Sequence, residues 1–155
     1  MPPRSSVKRH ILNSMKEEGC VHFPLLDPAK FDRDKAAKVA RVAEKAGSCA
    51  FLVGGTLGVG ARDVDEVVKG LRKGSSLPVI LFPSNPACVT PSVDAVFFLS
   101  LLNSANPYYI AGAQATAALL IKRYGLEAIP VGYLIVGEGR SVGFVGEARP
   151  IPPDG

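Results

Sequence analysis

The sequence lacks the features that define several protein classes. It contains no tryptophan and only two methionines, and no apolar run approaches the length needed to span a bilayer. Its three cysteines, Cys20, Cys49 and Cys88, are far apart and include no Cys-x-x-Cys pair. We therefore expect buried reduced thiols rather than a disulfide framework or a zinc site. The basic N-terminal stretch leads into no hydrophobic signal segment. Together these absences favour a cytoplasmic protein.

The sequence also lacks a concentrated patch of one charge. The formal net charge is +4, but the basic residues are dispersed along predicted helices, at positions 35–45, 69–73 and 122–123. Acidic residues lie among the first two groups, and no recognition motif or interleaved aromatic platform accompanies them. We therefore expect no nucleic-acid partner. An anionic small substrate would suit the charge equally well.

The sequence does contain a regular alternation of helix and strand patterns. A first helix is expected after Ser5 or Ser6, either of which can cap it, and Asp32 can cap the second. Short apolar runs bounded by Gly and Pro alternate with segments of helical periodicity. The predicted strands cover 20–26, 50–53, 78–83, 95–102 and 127–136, and the later helices cover 33–46, 61–73 and 107–124. A tight turn at 137–140 predicts an antiparallel strand at 141–145.

This alternation predicts an α/β protein with a parallel sheet and right-handed crossovers. Two architectures fit it: an open doubly wound sheet, or part of a (β/α)8 barrel. A complete barrel normally needs about 250 residues. Five strand units in 155 residues therefore amount to little more than half of one, and the proline-rich tail at 148–155 has the composition of an interrupted connection.

Two oxygen-bearing side chains occupy the same place in successive units. Asp27 follows the first strand, and Thr56 lies in the glycine-rich turn after the second, within the run FLVGGTLGVG at residues 51–60. Neighbouring parallel strands lie less than about 5 Å apart and end at the same edge, so both side chains could reach one ion. Sparse hard-oxygen ligation of this kind is typical of Mg²⁺, which takes its other ligands from water and substrate phosphates. The alternative is that Asp27 caps the following turn and Thr56 satisfies its own loop.

Three further side chains have simple interpretations. We expect His22, inside the predicted first strand, to be a hydrogen-bonded core histidine rather than a ligand or base. Tyr108 and Tyr109 open a helix at the same end of the sheet as Asp27. Most aromatic residues in such a position pack against neighbours, and a minority line an apolar groove or a subunit contact.

Five ordered motifs resemble those of the archaeal geranylgeranylglyceryl phosphate synthases. They are HFPLLDPAK at residues 22–30, VGGTLG at 53–58, LFPSN at 81–85, NPYYIAGAQ at 106–114 and GFVGEARPIP at 143–152. The resemblance spans nearly the whole chain, and five motifs in order are far more specific than any one of them. It implies a (β/α)8 TIM barrel of the phosphate-binding kind, of which this chain covers roughly the first five strands.

The resemblance also implies a reaction and a set of site residues. The reaction is transfer of a geranylgeranyl group from geranylgeranyl diphosphate to sn-glycerol 1-phosphate, which forms the first ether bond of archaeal membrane lipids and requires Mg²⁺. In that family the metal is held by the residues that correspond here to Asp27 and Thr56. Tyr108 or Tyr109 could line the groove for the prenyl chain. The lipid product implies transient proximity to a membrane.

The sequence departs from the family pattern in two ways. Pro24 and Ala29 replace the Thr and Asp commonly found around the aspartate motif, which would loosen the support of the metal ligand. The chain also ends before the family's glycerol-phosphate segments, so residues 1–155 are expected to form a single partial-barrel domain without that site. Unpaired strand edges favour association. We therefore expect a longer enzyme, or a partner that supplies the remaining strands, a homo-oligomer included.

Two alternatives remain open from the sequence. The first is the same chemistry with another chain length, as in the bacterial heptaprenylglyceryl phosphate synthases. The second is an inactive α/β binding or assembly fragment that keeps the first half of the barrel. Activity of the isolated 155-residue chain is left undecided by either.

Overall fold

The computed structural model describes residues 6–55, 58–137 and 139–154. Helices and strands alternate along the chain, with a 3-10 turn at Pro86–Cys88 and a π-helical turn at Tyr108–Gly112. In order, the elements are α1 (Val7–Glu18), β1 (Leu25–Leu26), α2 (Arg33–Lys45), β2 (Phe51–Val53), α3 (Ala61–Gly74), β3 (Val79–Leu81), β4 (Ala95–Leu101), α4 (Ala113–Tyr124), β5 (Glu127–Tyr133) and α5 (Arg140–Val145).

The five strands form one sheet in the order β1-β2-β3-β4-β5, and every neighbouring pair is parallel. A doubly wound sheet would reverse its strand order at a switch point. The unreversed order is that of a barrel wound in one direction. The fold is therefore a partial (β/α)8 barrel, as predicted.

The two faces of the sheet are covered by different helices. Phe51, Val53, Leu81 and other buried residues of one face pack against apolar residues of α2, α3 and α4. On the other face, Ala50, Ile80, Ala95 and Ile129 cluster with Val7 of α1. Strands buried on both faces read as continuous apolar runs, which is why these segments were recognisable in the sequence.

The helix α1 is fixed to the amino-terminal edge of the sheet by Glu127, the first residue of β5. The Glu127 carboxylate accepts hydrogen bonds from the Ser6 hydroxyl at 2.7 Å and from the Val7 backbone N–H at 2.6 Å. Ser6 in turn caps the helix by accepting from the Arg9 N–H. None of the helices within the described ranges is both long enough and apolar enough to cross a bilayer.

The first predicted strand is much shorter than expected. Residues 22 and 24 already run beside β2, because the carbonyl oxygens of His22 and Pro24 accept from the backbone N–H groups of Cys49 and Leu52. Pro24 has no N–H to donate in return, so a regular ladder begins only at Leu25.

Two residues of this region, His22 and Cys20, are less buried than predicted. His22 is exposed rather than in the core, although its Nδ1 lies 3.0 Å from the Ser48 hydroxyl as a hydrogen-bonded histidine should. Of the three thiols, Cys49 and Cys88 are buried, but Cys20 is exposed. Cys20 follows the left-handed Gly19 that ends α1, before the chain has joined the sheet.

The predicted antiparallel strand at the C-terminal end is wrong: residues Arg140–Val145 form the helix α5. Gly137 and Gly139 adopt positive φ, which suits a hairpin turn but also suits entry into a helix. The Gly143 N–H donates to the Gly139 carbonyl at 2.9 Å, in helical register. Residue 138 of the predicted turn lies outside the described residues.

Candidate active site

A cavity of about 490 Å³ opens at the carboxyl-terminal edge of the sheet. That edge is where barrel enzymes carry their active sites. Its walls come from the ends of all five strands and from α4 and α5. The lining residues used below are Asp27, Lys30, Gly54, Gly55, Phe82, Phe97, Tyr109, Gln114, Ala117, Tyr133, Val142 and Val145.

One row of residues across four strands forms the floor of this cavity. Leu26, Val53, Leu81 and Val96 are in register with one another in the sheet. The residues that follow them directly are Asp27, Gly54, Phe82 and Phe97, and all four line the cavity. A carboxylate, a glycine and two phenyl rings therefore stand side by side, so this row is polar at one end and apolar along the rest.

The charged end is organised around Asp27. Its Oδ1 accepts from the Ala29 backbone N–H at 3.0 Å, and its Oδ2 lies 4.0 Å from the Lys30 ammonium. The side chain is 30% exposed, so its oxygens are accessible from the cavity. The predicted capping role and the predicted site are therefore compatible, because one carboxylate oxygen closes the turn and the other has only a long ion pair.

The glycine pair after β2 lets the chain pass close to Asp27. A Cβ on Gly55 would lie 2.6 Å from Asp27 Oδ1, and one on Gly54 would collide with the Phe82 carbonyl oxygen. A side chain at position 55 would fill the space beside the carboxylate, whereas one at position 54 would prevent the close approach of the chain to Phe82. Gly55 thus keeps open a hollow in which a ligand can approach both the backbone and the carboxylate.

The predicted second metal ligand, Thr56, lies outside the described residues, so the Asp27–Thr56 pair stays a prediction. In the part of the chain that the structure describes, no three His, Cys, Asp or Glu side chains are grouped to hold a metal. A single accessible carboxylate beside an open hollow still fits Mg²⁺, which commonly takes one or two protein oxygens and completes its shell with water and phosphate.

The apolar part of the cavity contains an aromatic cluster. The Phe82 ring makes edge-to-face contacts with Phe97, at 6.1 Å between centroids, and with Tyr133, at 5.7 Å. Beyond the cluster, the wall continues to Ala117 and Ile121 on α4. Rings held in this way by one another are rigid, and they present hydrocarbon surface to a ligand.

The two tyrosines of the predicted groove occupy different positions. Tyr109 lines the cavity, whereas Tyr108 is not among the lining residues and is 41% exposed. Their rings contact each other edge to face at 5.1 Å. The assignment of either tyrosine to a prenyl groove stays a prediction.

The segment that carries both tyrosines is a π-helical turn, where a single helix from 107 was predicted. The Ile110 carbonyl accepts from the Ser100 hydroxyl at 2.6 Å and from Gln114 Nε2 at 3.0 Å, and Gln114 Nε2 also donates to the Leu99 carbonyl. These bonds draw the turn against the end of β4. The wider turn therefore results from side chains on two separate elements.

Sequence reasoning missed several lining residues. Lys30 and Phe82 stood inside quoted motifs without an assigned role, and their position just after a strand was the signal that could have found them. Val142 and Val145 had been placed on a strand. Their spacing of three is helical, and α5 turns both toward the cavity.

Curated relatives with high similarity share one name. The chain is 48% identical over 149 residues to the geranylgeranylglyceryl phosphate synthase of Thermofilum pendens, covering 96% of this chain and 58% of the relative. It is 47% identical over 146 residues to that of Thermococcus gammatolerans, covering 94% and 58%. The chain thus spans about 58% of the length of these curated relatives.

Solved structures and a family model agree with this similarity. A wild-type GGGPS from Thermoplasma volcanium matches with a TM-score of 0.85 at 36% identity, over 92% of this chain and 58% of that one. The Thermoplasma acidophilum synthase, solved with sn-glycerol-1-phosphate, matches with a TM-score of 0.84 at 35% identity, over 96% and 59%. The model of the PcrB family matches residues 13–155, nearly the whole chain. The chain therefore belongs to the PcrB family.

Proposed function

We propose that this chain is the donor-binding part of a Mg²⁺-dependent prenyltransferase that joins geranylgeranyl diphosphate to sn-glycerol 1-phosphate. The product would carry the first ether bond of archaeal membrane lipids. The observation that carries the proposal is the two-ended cavity, charged at Asp27 and Lys30 and mostly apolar from Phe82 to Ala117, where Ser84, Asn85 and Gln114 are the polar lining residues. A prenyl diphosphate has the same two-ended character.

In this proposal Asp27 and Thr56 hold Mg²⁺ at the charged end of the cavity. The ion would neutralise charge on the diphosphate and on the group that departs from it. Gly55 keeps the hollow beside Asp27 free, so the diphosphate can approach the backbone. The ring cluster of Phe82, Phe97 and Tyr133 and the wall on α4 bind the prenyl chain and exclude water from its reactive end.

The proposed reaction exchanges one C–O bond for another. The bond between the allylic carbon and the diphosphate oxygen breaks, and its electron pair leaves with the diphosphate. The free primary hydroxyl oxygen of the glycerol phosphate forms the new bond to that carbon and loses its proton to water. Because the leaving diphosphate gains negative charge, positive groups at the charged end of the cavity stabilise the transition state.

We place the acceptor site next to β5, on strands beyond the five of this partial-barrel domain. In the part of the chain that the structure describes, β5 pairs with β4 and is the last strand of the sheet, so a following strand can add to its other edge. Support for the acceptor comes from the relative that was solved with sn-glycerol-1-phosphate, of which this chain covers 59%.

The test is binding of geranylgeranyl diphosphate by the 155-residue chain, measured calorimetrically with and without Mg²⁺. We expect Mg²⁺-dependent binding that Asp27→Asn weakens by at least about tenfold, as loss of a metal-site residue does. Asp34→Asn is the matched control, because Asp34 is an exposed carboxylate in the first turn of α2 and is not a cavity residue.

Binding that is indifferent to both Mg²⁺ and Asp27 would contradict the proposal and favour a non-catalytic binding module. A series of prenyl diphosphates of increasing length separates the remaining alternative. Tighter binding of heptaprenyl than of geranylgeranyl diphosphate would assign the chain to the longer-chain chemistry.

A further inference from the structure

The turn after β1 fixes Lys30 beside Asp27. The Lys30 backbone N–H donates to the Asp27 carbonyl at 2.8 Å, and the Phe31 N–H donates to the same oxygen at 3.1 Å. Pro28 restricts the backbone within this turn, and the partly buried Phe31 packs against the core beneath it. The position of the Lys30 backbone is therefore determined by the fold, and its side chain leaves the turn on the rim of the cavity.

Asp27 and Lys30 are the charged residues among the described residues that line the cavity, and both stand at the same end. The Lys30 ammonium is 4.0 Å from Asp27 Oδ2, and its side chain is 76% exposed. A long, exposed pair of this kind contributes little to stability. The ammonium is therefore free to turn from Asp27 toward a ligand in the cavity.

The other pairs of this spacing lie elsewhere. Lys35 pairs with Asp32 at 3.5 Å on α2, and Lys69 pairs with Glu66 at 2.8 Å on α3. None of these four residues lines the cavity. Lys30 thus differs from them in position, since it is placed where the polar head of a ligand would sit.

We propose that Lys30 binds the diphosphate head of the donor and is a substrate-binding residue of the site. This inference rests on the proposed function and adds a residue to it. A diphosphate brings more negative charge than one divalent ion offsets once the Asp27 carboxylate is counted. An ammonium offers a unit positive charge and three donors on a flexible stem, which suits phosphate oxygens.

The same contact strengthens as the reaction proceeds. When the allylic C–O bond breaks, its electron pair stays on the diphosphate, and the charge facing Lys30 becomes more negative. A charge-assisted hydrogen bond from the ammonium is then stronger in the transition state than in the bound substrate.

The experiment measures binding of inorganic pyrophosphate with excess Mg²⁺ by calorimetry, in the 155-residue chain and four variants, one of which is Asp27→Asn. We expect Lys30→Ala to weaken pyrophosphate binding by about tenfold, the scale of one lost hydrogen bond to a charged group. Lys30→Arg should retain affinity within about threefold, since the charge and donors remain. Lys35→Ala is the control, because it removes a lysine from a pair of the same spacing outside the cavity.

Two results would overturn the assignment. If Lys30→Ala binds pyrophosphate as tightly as Lys35→Ala does, while Asp27→Asn abolishes binding, Lys30 has no role and the proposed function stands. If the unmodified chain shows no Mg²⁺-dependent binding of pyrophosphate or of geranylgeranyl diphosphate, the donor site itself is refuted and Lys30 with it. Circular dichroism of each variant confirms that the change is local.

Discussion

The middle of the sheet and its β5 end differ in how completely the chain covers them. All three residues of β3 are buried, and in β2 the flanking residues Phe51 and Val53 are buried as well. In β5, only Ile129 is buried among seven residues. Just past β5, Leu134 and Val136 are more than half exposed. The strands β2 and β3 are packed as a protein core, whereas the β5 end presents apolar surface.

This difference in burial distinguishes the part of the chain suited to ligand binding from the part suited to assembly. The polar end of the cavity, at Asp27 and Gly55, directly follows the paired strands β1 and β2, beside the well-buried part of the sheet. The apolar part extends toward β5 and α5, where Phe144 is 86% exposed. An exposed row of this kind invites further strands or a second copy. The polar end of the cavity therefore depends little on added strands, while the β5 side gains most from an added partner.

The largest expected effect is the difference in the free energy of unfolding between two leucine variants. Leu81 on β3 is fully buried, so Leu81→Ala should lower the free energy of unfolding by about 2–5 kcal/mol through lost burial and a cavity. Leu134 is 52% exposed, so Leu134→Ala should change it by less than about 0.5 kcal/mol. Urea unfolding of both variants measures the difference. A comparable loss of stability for Leu134→Ala would mean that this residue is covered in solution. The contrast in burial between the middle of the sheet and its β5 end would then fail.

A smaller effect is expected for the stability of two glycine-to-alanine variants. A Cβ on Gly70 of α3 would lie 2.8 Å from the Ala36 Cβ and collide with the Arg33 carbonyl of α2. Alanine in an open helix would add about 1 kcal/mol of stability, but here overpacking should subtract about 1–3 kcal/mol instead. On β5, a Cβ on Gly132 meets only the Leu102 side-chain end at 2.9 Å.

Leu102 is 56% exposed and can move aside. Gly132→Ala should therefore be neutral or stabilising, since glycine is unfavourable inside a strand. Thermal unfolding midpoints of the two variants provide the measurement. If Gly70→Ala raises the midpoint, α2 and α3 are less tightly packed than the structure has them.

The parts of the fold that sequence predicted correctly are those fixed by local signals. Ser6 and Asp32 cap their helices through the Arg9 and Lys35 N–H groups, as the capping pattern predicts. Short apolar runs, separated by segments of helical periodicity, identified all five parallel strands. Since parallel strands end at one edge, the turn after β2 lies beside Asp27, with Gly55 next to its carboxylate, while the predicted Asp27–Thr56 pair itself stays a prediction.

The parts that sequence could not predict depend on distant partners. At the π-helical turn, Ser100 and Gln114 donate to the same carbonyl, and no periodicity records that pairing. The aromatic cluster joins Phe82, Phe97 and Tyr133 from three strands, so its contacts depend on register across the sheet. The helix α5 was missed because left-handed glycines serve hairpins and helix starts alike.

The smallest expected effect concerns a surface carboxylate on α3, one of the helices that cover the well-buried strands. Glu66 on α3 accepts hydrogen bonds from Lys69 at 2.8 Å and from Arg33 of α2 at 2.6 Å. These bonds, that from Lys69 first, hold the pKa of the Glu66 carboxyl below its ordinary value of 4.5. A carboxyl whose pKa is lower in the folded state stabilises the fold above its unfolded pKa, and the contribution is lost as pH falls through the folded pKa.

Glu66→Gln should therefore lower the unfolding midpoint slightly at pH 7, and the gap from the unmodified chain should close on acidification below about pH 4.5. The Glu66 side chain is half exposed, so 1 M salt should also close most of the gap by screening. Glu18→Gln, at the end of α1, controls for the loss of a carboxylate as such. Thermal unfolding from pH 7 to pH 3 measures all three chains. A gap that persists unchanged at pH 3 would show that Glu66 acts through packing of its side chain, and that the α2–α3 contact owes nothing to its charge.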